Sequence, residues 1–175
     1  IIPEPNVQVL WSMAGDFSDR LTTGRNLTLQ GTGGSFVSDV VQGRNVQVFA
    51  TEGTAELQAI GYDGILGNQA RSWAGFIGWS GVPTSNQYIT SWGSNNSGGQ
   101  SWLILYDVNN DHLSVSIRNA FRNWSLASLN AVNFFDGNMH HLAVTQRAND
   151  VNSIRLFVDG VEVTFVSSDN NPSMN

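Results

Sequence analysis

Apolar and polar positions alternate with period two along most of this chain, in short runs separated by Gly, Asn, Asp and Ser clusters. Almost no stretch repeats its apolar residues every three to four positions. That pattern belongs to half-buried strands of an all-β sandwich or barrel rather than to helices. It predicts strands over 7–13, 26–30, 46–50, 55–60, 72–80, 88–92, 101–106, 112–118, 124–129, 140–147, 154–158 and 161–167.

The clearest hairpin is IRLFVDGVEVTF, from Ile154 to Phe165. An Asp-Gly pair between apolar runs favours a two-residue type I′ turn, because both central residues need positive φ. That turn sets Val158 opposite Val161, Leu156 opposite Val163 and Ile154 opposite Phe165. All six then share one face, because side chains alternate along a strand. Arg155, Phe157, Glu162 and Thr164 take the other face. SWLILYDVNNDHLSVSIR reads as a second hairpin with a five-residue polar connection. In it Leu113, Val115 and Ile117 point one way and Ser114, Ser116 and Arg118 the other. SWAGFIGWS places Trp73, Gly75, Ile77 and Trp79 on one face and Phe76 on the opposite one. The tripeptide Gly-Arg-Asn occurs twice, at Gly24 and Gly43, each time before a strand, which is too little for a repeat.

Composition narrows the chemistry. A chain of 175 residues forms a substantial core without covalent staples. There is no cysteine, which removes disulfides and thiolate chemistry. All eight positive charges are arginine, which removes Schiff-base chemistry and lysine crosslinks. A net charge of −6 argues against nucleic acid and anionic membranes as partners. No run approaches the roughly 20 apolar residues of a membrane span. The sequence begins at Ile1, as a processed chain or an excised domain would. The three N-glycosylation sequons, at Asn26, Asn95 and Asn123, are expected by chance in so Asn-rich a chain.

The stretch FFDGNMHHLAVTQR, followed by NSIRLFVDGVEV, resembles the concanavalin A-like, laminin G-like jelly-roll family, most clearly from Asp136 to Val163. Members carry an Asp-Gly, a bulky residue, two histidines and a strand that ends in Val-Asp-Gly. RSWAGFIGWSGVPTSNQYITSWGS and VLWSM fit earlier strands of that family, and Met139 stands where tryptophan is common. The resemblance implies a two-sheet antiparallel β-sandwich, a jelly roll, spanning 9–167. It leaves 1–8 as an extended N-terminal segment and 168–175 as a tail. It also implies one more strand pairing near the first. The chain ends about ten residues after Phe165, so the sandwich is expected to lack its own final strand, to have it displaced, or to receive it from elsewhere.

His140 and His141 are the chain's adjacent histidines, and a metal, acid/base or pH-switch role is the first thought. On a strand their rings point to opposite faces and cannot readily close on one ion. The expectation is therefore structural, with hydrogen bonds to backbone or neighbouring side chains. Glycoside hydrolysis needs two carboxyls about 5–10 Å apart. The four glutamates are Glu4, Glu52, Glu56 and Glu162, and no Glu-x-Asp-x-(x)-Glu run exists. Glu52 and Glu56 would be about 13 Å apart on an extended strand, closer only with a turn at Gly53. Calcium, which many relatives bind at loop ends, is the metal candidate. Asp107, Asn109 and Asp111 sit at alternate positions like the start of an EF-hand loop, but His112 and Arg118 stand where Gly and Glu are needed. The competing reading is an Asx-rich turn. Asp16 and Asp19 form a weaker candidate. Trp92, Trp102, Trp124, Tyr88 and Tyr106 form the aromatic pool for a glycan platform.

Three functions follow. The first is a non-catalytic structural or adhesive subunit of an extracellular, cell-surface or filamentous assembly that shares strands between subunits. Ile1, Ile2, Val7 and Val9 are its assembly candidates, since Pro3 and Pro5 keep that segment extended. The second is a carbohydrate-binding module using Trp92, Trp102, Trp124 and Tyr88. A glycan hydrolase ranks last.

Overall fold

A computed structural model of the chain describes residues 7–21, 24–65, 67, 69–93, 101–117, 133–147, 150, 152–165, and the backbone alone at 120–125, 151 and 167–169. Every strand pairing is antiparallel, and the only helix among the described residues is one 3-10 turn, Val151–Ser153. The all-β expectation holds. The chain divides into two compact units, Ile1–Tyr62 and Asp63–Asn175.

The first unit contains two separate two-stranded ribbons. One pairs β1 (Leu27–Gln30) with β4 (Glu56–Ala59); the other pairs β2 (Gly34–Val41) with β3 (Arg44–Thr51). Strand β2 is absent from the sequence reading. Its turn is Gln42-Gly43, both at positive φ, 49° and 74°, which is the type I′ requirement met by an unusual first residue. The expected strand over 7–13 reduces to one isolated bridge between Trp11 and Asp19. Phe36 and Phe49 face each other across the ribbon, and Phe17 packs on both, with ring centroids 4.9 to 5.4 Å apart.

The second unit contains two larger sheets, in the orders β12-β11-β10-β5 and β13-β9-β8-β7-β6. The four-stranded sheet comprises β5 (Arg71–Ile77), β10 (His140–Gln146), β11 (Arg155–Val158) and β12 (Val161–Val163). The five-stranded sheet comprises β6 (Gln87–Gly93), β7 (Ser101–Asp107), β8 (His112–Ile117), β9 (Ala120–Ser125) and β13 (Ser167–Asp169). Their alternate residues meet in one core: Trp102, Ile104, Tyr106, Leu113, Val115 and Ile117 from the five-stranded sheet, with Leu142, Val144, Leu156 and Val158 from the other. Each fully buried Leu, Ile or Val stabilises the fold by roughly 1.5–3 kcal/mol.

The Asp159-Gly160 hairpin forms in the expected register, Val158 opposite Val161 and Leu156 opposite Val163, with Asp159 and Gly160 both at positive φ. The expected shared face is only half a core face. Ile154, Leu156 and Val158 are buried, whereas Val161 is 68% and Phe165 39% exposed. Strand β12 is the sheet edge and ends at Val163, which packs against the core while Val161 does not. The loop joining β7 to β8 is four residues rather than five, because Asp107 pairs with His112. Ser114 and Ser116 are buried too, at 7% and 4% exposure, so both faces of β8 are covered. The sequence reading placed β9 at 124–129; its backbone pairs from Ala120 to Ser125. A short strand, β13, does follow β12, and it pairs with β9 on the other sheet.

Candidate functional site

Two Asp-Gly turns converge on His140, which opens β10. Asp159 follows β11 at φ 48°, and its backbone N–H donates to the His141 carbonyl at 2.8 Å. Its Oδ1 accepts the His141 amide at 2.9 Å, and its Oδ2 lies 2.8 Å from His140 Nδ1. Asp136 closes a turn of its own, accepting from the Asn138 amide at 2.7 Å and the Asn138 side chain at 2.9 Å. Its Oδ1 also lies 3.3 Å from His140 Nε2. One imidazole thus has a carboxylate at each nitrogen.

Packing fixes that ring. The His140 side chain is only 12% exposed, and Phe134 meets it edge-on at 5.3 Å. His141 points to the opposite face and meets Phe76 at 5.1 Å, as strand alternation requires. Burial by itself pushes the His140 pKa down. Hydrogen bonds and charge from Asp159 and Asp136 outweigh it and hold the value above the ordinary one. Bonds from Asn138, then from His140, hold Asp136 low. Burial would raise Asp159, but bonds from His140 and from the His141 amide keep it below the usual carboxylate range. The two carboxylates lie on opposite sides of the ring, so the three groups do not converge on a metal. No set of three His, Asp or Glu among the described residues does.

The carboxylates of the calcium candidate serve the turn itself. Asp107 accepts from the Asn109 amide at 3.0 Å and from the Asn110 side chain at 2.8 Å. Asp111 sits at φ 51° and accepts the Tyr106 hydroxyl at 3.1 Å. Asn109 is exposed. Asp16 is held by Arg20 at 2.9 and 3.0 Å, and Asp19 accepts the Leu10 and Leu21 amides. Glu52 and Glu56 are both exposed.

The aromatic candidates separate. Trp102 is fully buried and therefore no platform. Its cross-strand neighbour Trp92 stacks on it, centroids 4.3 Å apart at 15°, and donates its indole N–H to the Ile65 carbonyl at 3.3 Å. Tyr88 is 70% exposed on the edge strand β6. Trp124 lies on β9, outside the described side chains. Of the assembly candidates, Ile1 and Ile2 lie outside the described residues, Val7 is 42% exposed and Val9 is half-buried.

The sequence reading saw the histidines and missed Asp136 and Asp159 as their partners. The signal was present: each aspartate opens an Asp-Gly pair, one four residues before His140 and one at the end of the strand beside it. Among the described residues no helix is long and apolar enough to cross a membrane. No family model, curated protein or solved structure gives a significant match to the chain.

Proposed function

We propose that this chain is a non-catalytic structural or adhesive subunit of an extracellular assembly, built on a laminin G-like jelly roll and joined to neighbouring copies through open strand edges. The observation that carries the reading lies in the first unit. Among its described residues no apolar side chain is fully buried, while the twelve fully buried apolar residues among those described all lie from Trp102 to Val158. Two-stranded ribbons are at best marginally stable in water on their own. Among the described residues neither ribbon has a third strand on its edges, beyond one bond from the Leu27 N–H to the Phe17 carbonyl, and Val37 (40%), Val40 (55%) and Ile60 (62%) are exposed beside them. Open apolar ribbon edges favour pairing with another chain.

The chemistry around His140 supports a non-catalytic role, since both ring nitrogens are engaged by carboxylates rather than free to move a substrate's proton. The extracellular setting rests on the resemblance of Asp136 to Val163 to laminin G-like domains. Native mass in solution tests the proposal. The chain should run as an oligomer of its 19.0 kDa protomer. Val37→Lys together with Val40→Lys should shift it to a folded monomer, because charge on an edge blocks pairing. A wild-type chain that stays monomeric at high micromolar concentration would sink the reading.

A further inference from the structure

The geometry around His140 points to a pH-operated clasp. With both ring nitrogens protonated, His140 ties the Asp136 turn to the Asp159 turn, and loss of one proton releases the Asp136 side.

An ionised carboxylate only accepts hydrogen bonds, and a neutral imidazole carries one N–H. In the structure Nδ1 and Nε2 both face carboxylate oxygens, at 2.8 and 3.3 Å. Both bonds exist together only in the imidazolium form. Removing a proton leaves one nitrogen lone pair against a carboxylate oxygen, an arrangement that repels.

The two sides are unequal, which decides where the clasp opens. Asp159 is held three ways: by Nδ1, by the His141 amide to its side chain, and by its own N–H to the His141 carbonyl. Its bond to the ring is also the shorter. Asp136 has the longer bond, and Asn138 already occupies both its oxygens. The neutral ring therefore keeps Nδ1–H toward Asp159 and presents a bare Nε2 to Asp136. The turn at Asp136 and Gly137 is the part set free. Phe134, two residues earlier, packs on the same ring and on Trp79, so the release reaches the core edge.

No other charged group among the described residues bonds to this ring. Beside it on β5 the ladder partner is Ile77, which does not titrate. His141 lies on the opposite face, and its charge acts on Asp159 rather than on the ring. Asp136 and Asp159 are thus the two carboxylates that set the behaviour of His140.

The sign follows from the directions of the shifts. A His whose folded pKa lies above its unfolded value of 6.5 contributes stability fully below 6.5. That contribution is lost as pH rises through the folded value. The clasp is closed in mild acid and open in alkali.

Nitrogen-15 spectra of the full chain provide the test. At pH 5.5 both nitrogens of His140 should be protonated, and its titration midpoint should lie above the ordinary histidine value of 6.5. The Asn138 amide should exchange severalfold faster at pH 8 than at pH 6, after correction for intrinsic exchange. Asp136→Ala should lower the midpoint and keep exchange fast at both pH values. Asp136→Asn should lower the midpoint and flatten the pH step in exchange, since one oxygen, Oδ1, faces both Nε2 and the Asn138 amide and the charge that favours the Nε2 proton is gone. Asp136 is exposed at the surface, so both variants should fold. A single protonated nitrogen at pH 5.5 would overturn the proposal, as would a pH step unchanged in Asp136→Asn.

Discussion

Trp102 donates its indole N–H to the side-chain carbonyl of Gln146 at 2.7 Å, linking the facing sheets of the second unit through their shared interior. Both residues are buried, at 0% and 3% exposure. A buried donor left without its acceptor costs about 1–3 kcal/mol, more than the bond itself contributes. Gln146→Leu should therefore destabilise the chain by about that amount in urea unfolding, with further loss from the other contacts of Gln146. Trp102→Phe in the Gln146→Leu background should cost less than in the wild type, because the orphaned donor is gone. Equal costs in both backgrounds would show that the bond does not couple the sheets.

A second relationship sits behind Trp92. Gly64 lies at φ 74°, and a Cβ there would overlap the indole, reaching Cδ1 at 2.6 Å and Cβ at 2.8 Å. Gly67, in the same loop, also has positive φ but open space around it. Gly67→Ala should cost only the backbone penalty of about 1–2 kcal/mol. Gly64→Ala should cost about 1–3 kcal/mol more, from overpacking against the ring. Thermal melts of the two variants separate these terms, and matching losses would mean the loop moves away from Trp92 without cost.

The loop joining β7 and β8 makes a different prediction. Its aspartates already have protein donors, and Asp111 needs a residue that tolerates positive φ. Asp111→Asn keeps both the acceptor and the conformation, so its melting temperature should stay near that of the wild type. Asp111→Val loses the Tyr106 bond and adds left-handed strain, at about 2 kcal/mol or more in sum. Millimolar calcium should leave the wild-type melting temperature unchanged. A rise of several degrees with calcium, reversed by EDTA, would restore the metal reading of Asp107, Asn109 and Asp111.

What the sequence made legible follows from how local each signal is. The Asp159-Gly160 turn fixes register by itself, so the hairpin it joins could be read to the residue. The opposed faces of His140 and His141 needed only strand alternation. Strand β2 was hidden because Gln42 stands where Asn or Asp usually marks the type I′ turn. The exposure of Val161 was hidden for another reason: alternation tells which side a residue faces, not whether a second sheet covers it. Trp102 fails as a glycan platform on the same ground. A tryptophan's place in the core is decided by a partner such as Gln146, 44 residues away in sequence. The site at His140 lay between these extremes. Its histidines were visible and Asp136 lay four residues away, but Asp159 becomes a neighbour only through the pairing of β10 with β11.

Asp159 contributes to the acid side of the stability profile. Its folded pKa lies below the ordinary 3.8, so it contributes stability above 3.8 and loses it as pH falls through the lowered value. The His140 contribution runs the other way, complete below 6.5 and lost as pH rises through the raised value. Together they place the greatest benefit between these limits, on the acid side of neutral. Asp159→Asn keeps an oxygen for the His141 amide and tolerates the positive φ, but it removes the charge that His140 requires. Its unfolding free energy should vary less than that of the wild type both below pH 4 and above pH 6.5, and the two curves should differ most near pH 5. Denaturant titrations at intervals from pH 3 to pH 8 measure both slopes. A variant curve parallel to the wild type throughout would show that Asp159 acts only as a turn residue and leaves the charge of His140 to Asp136.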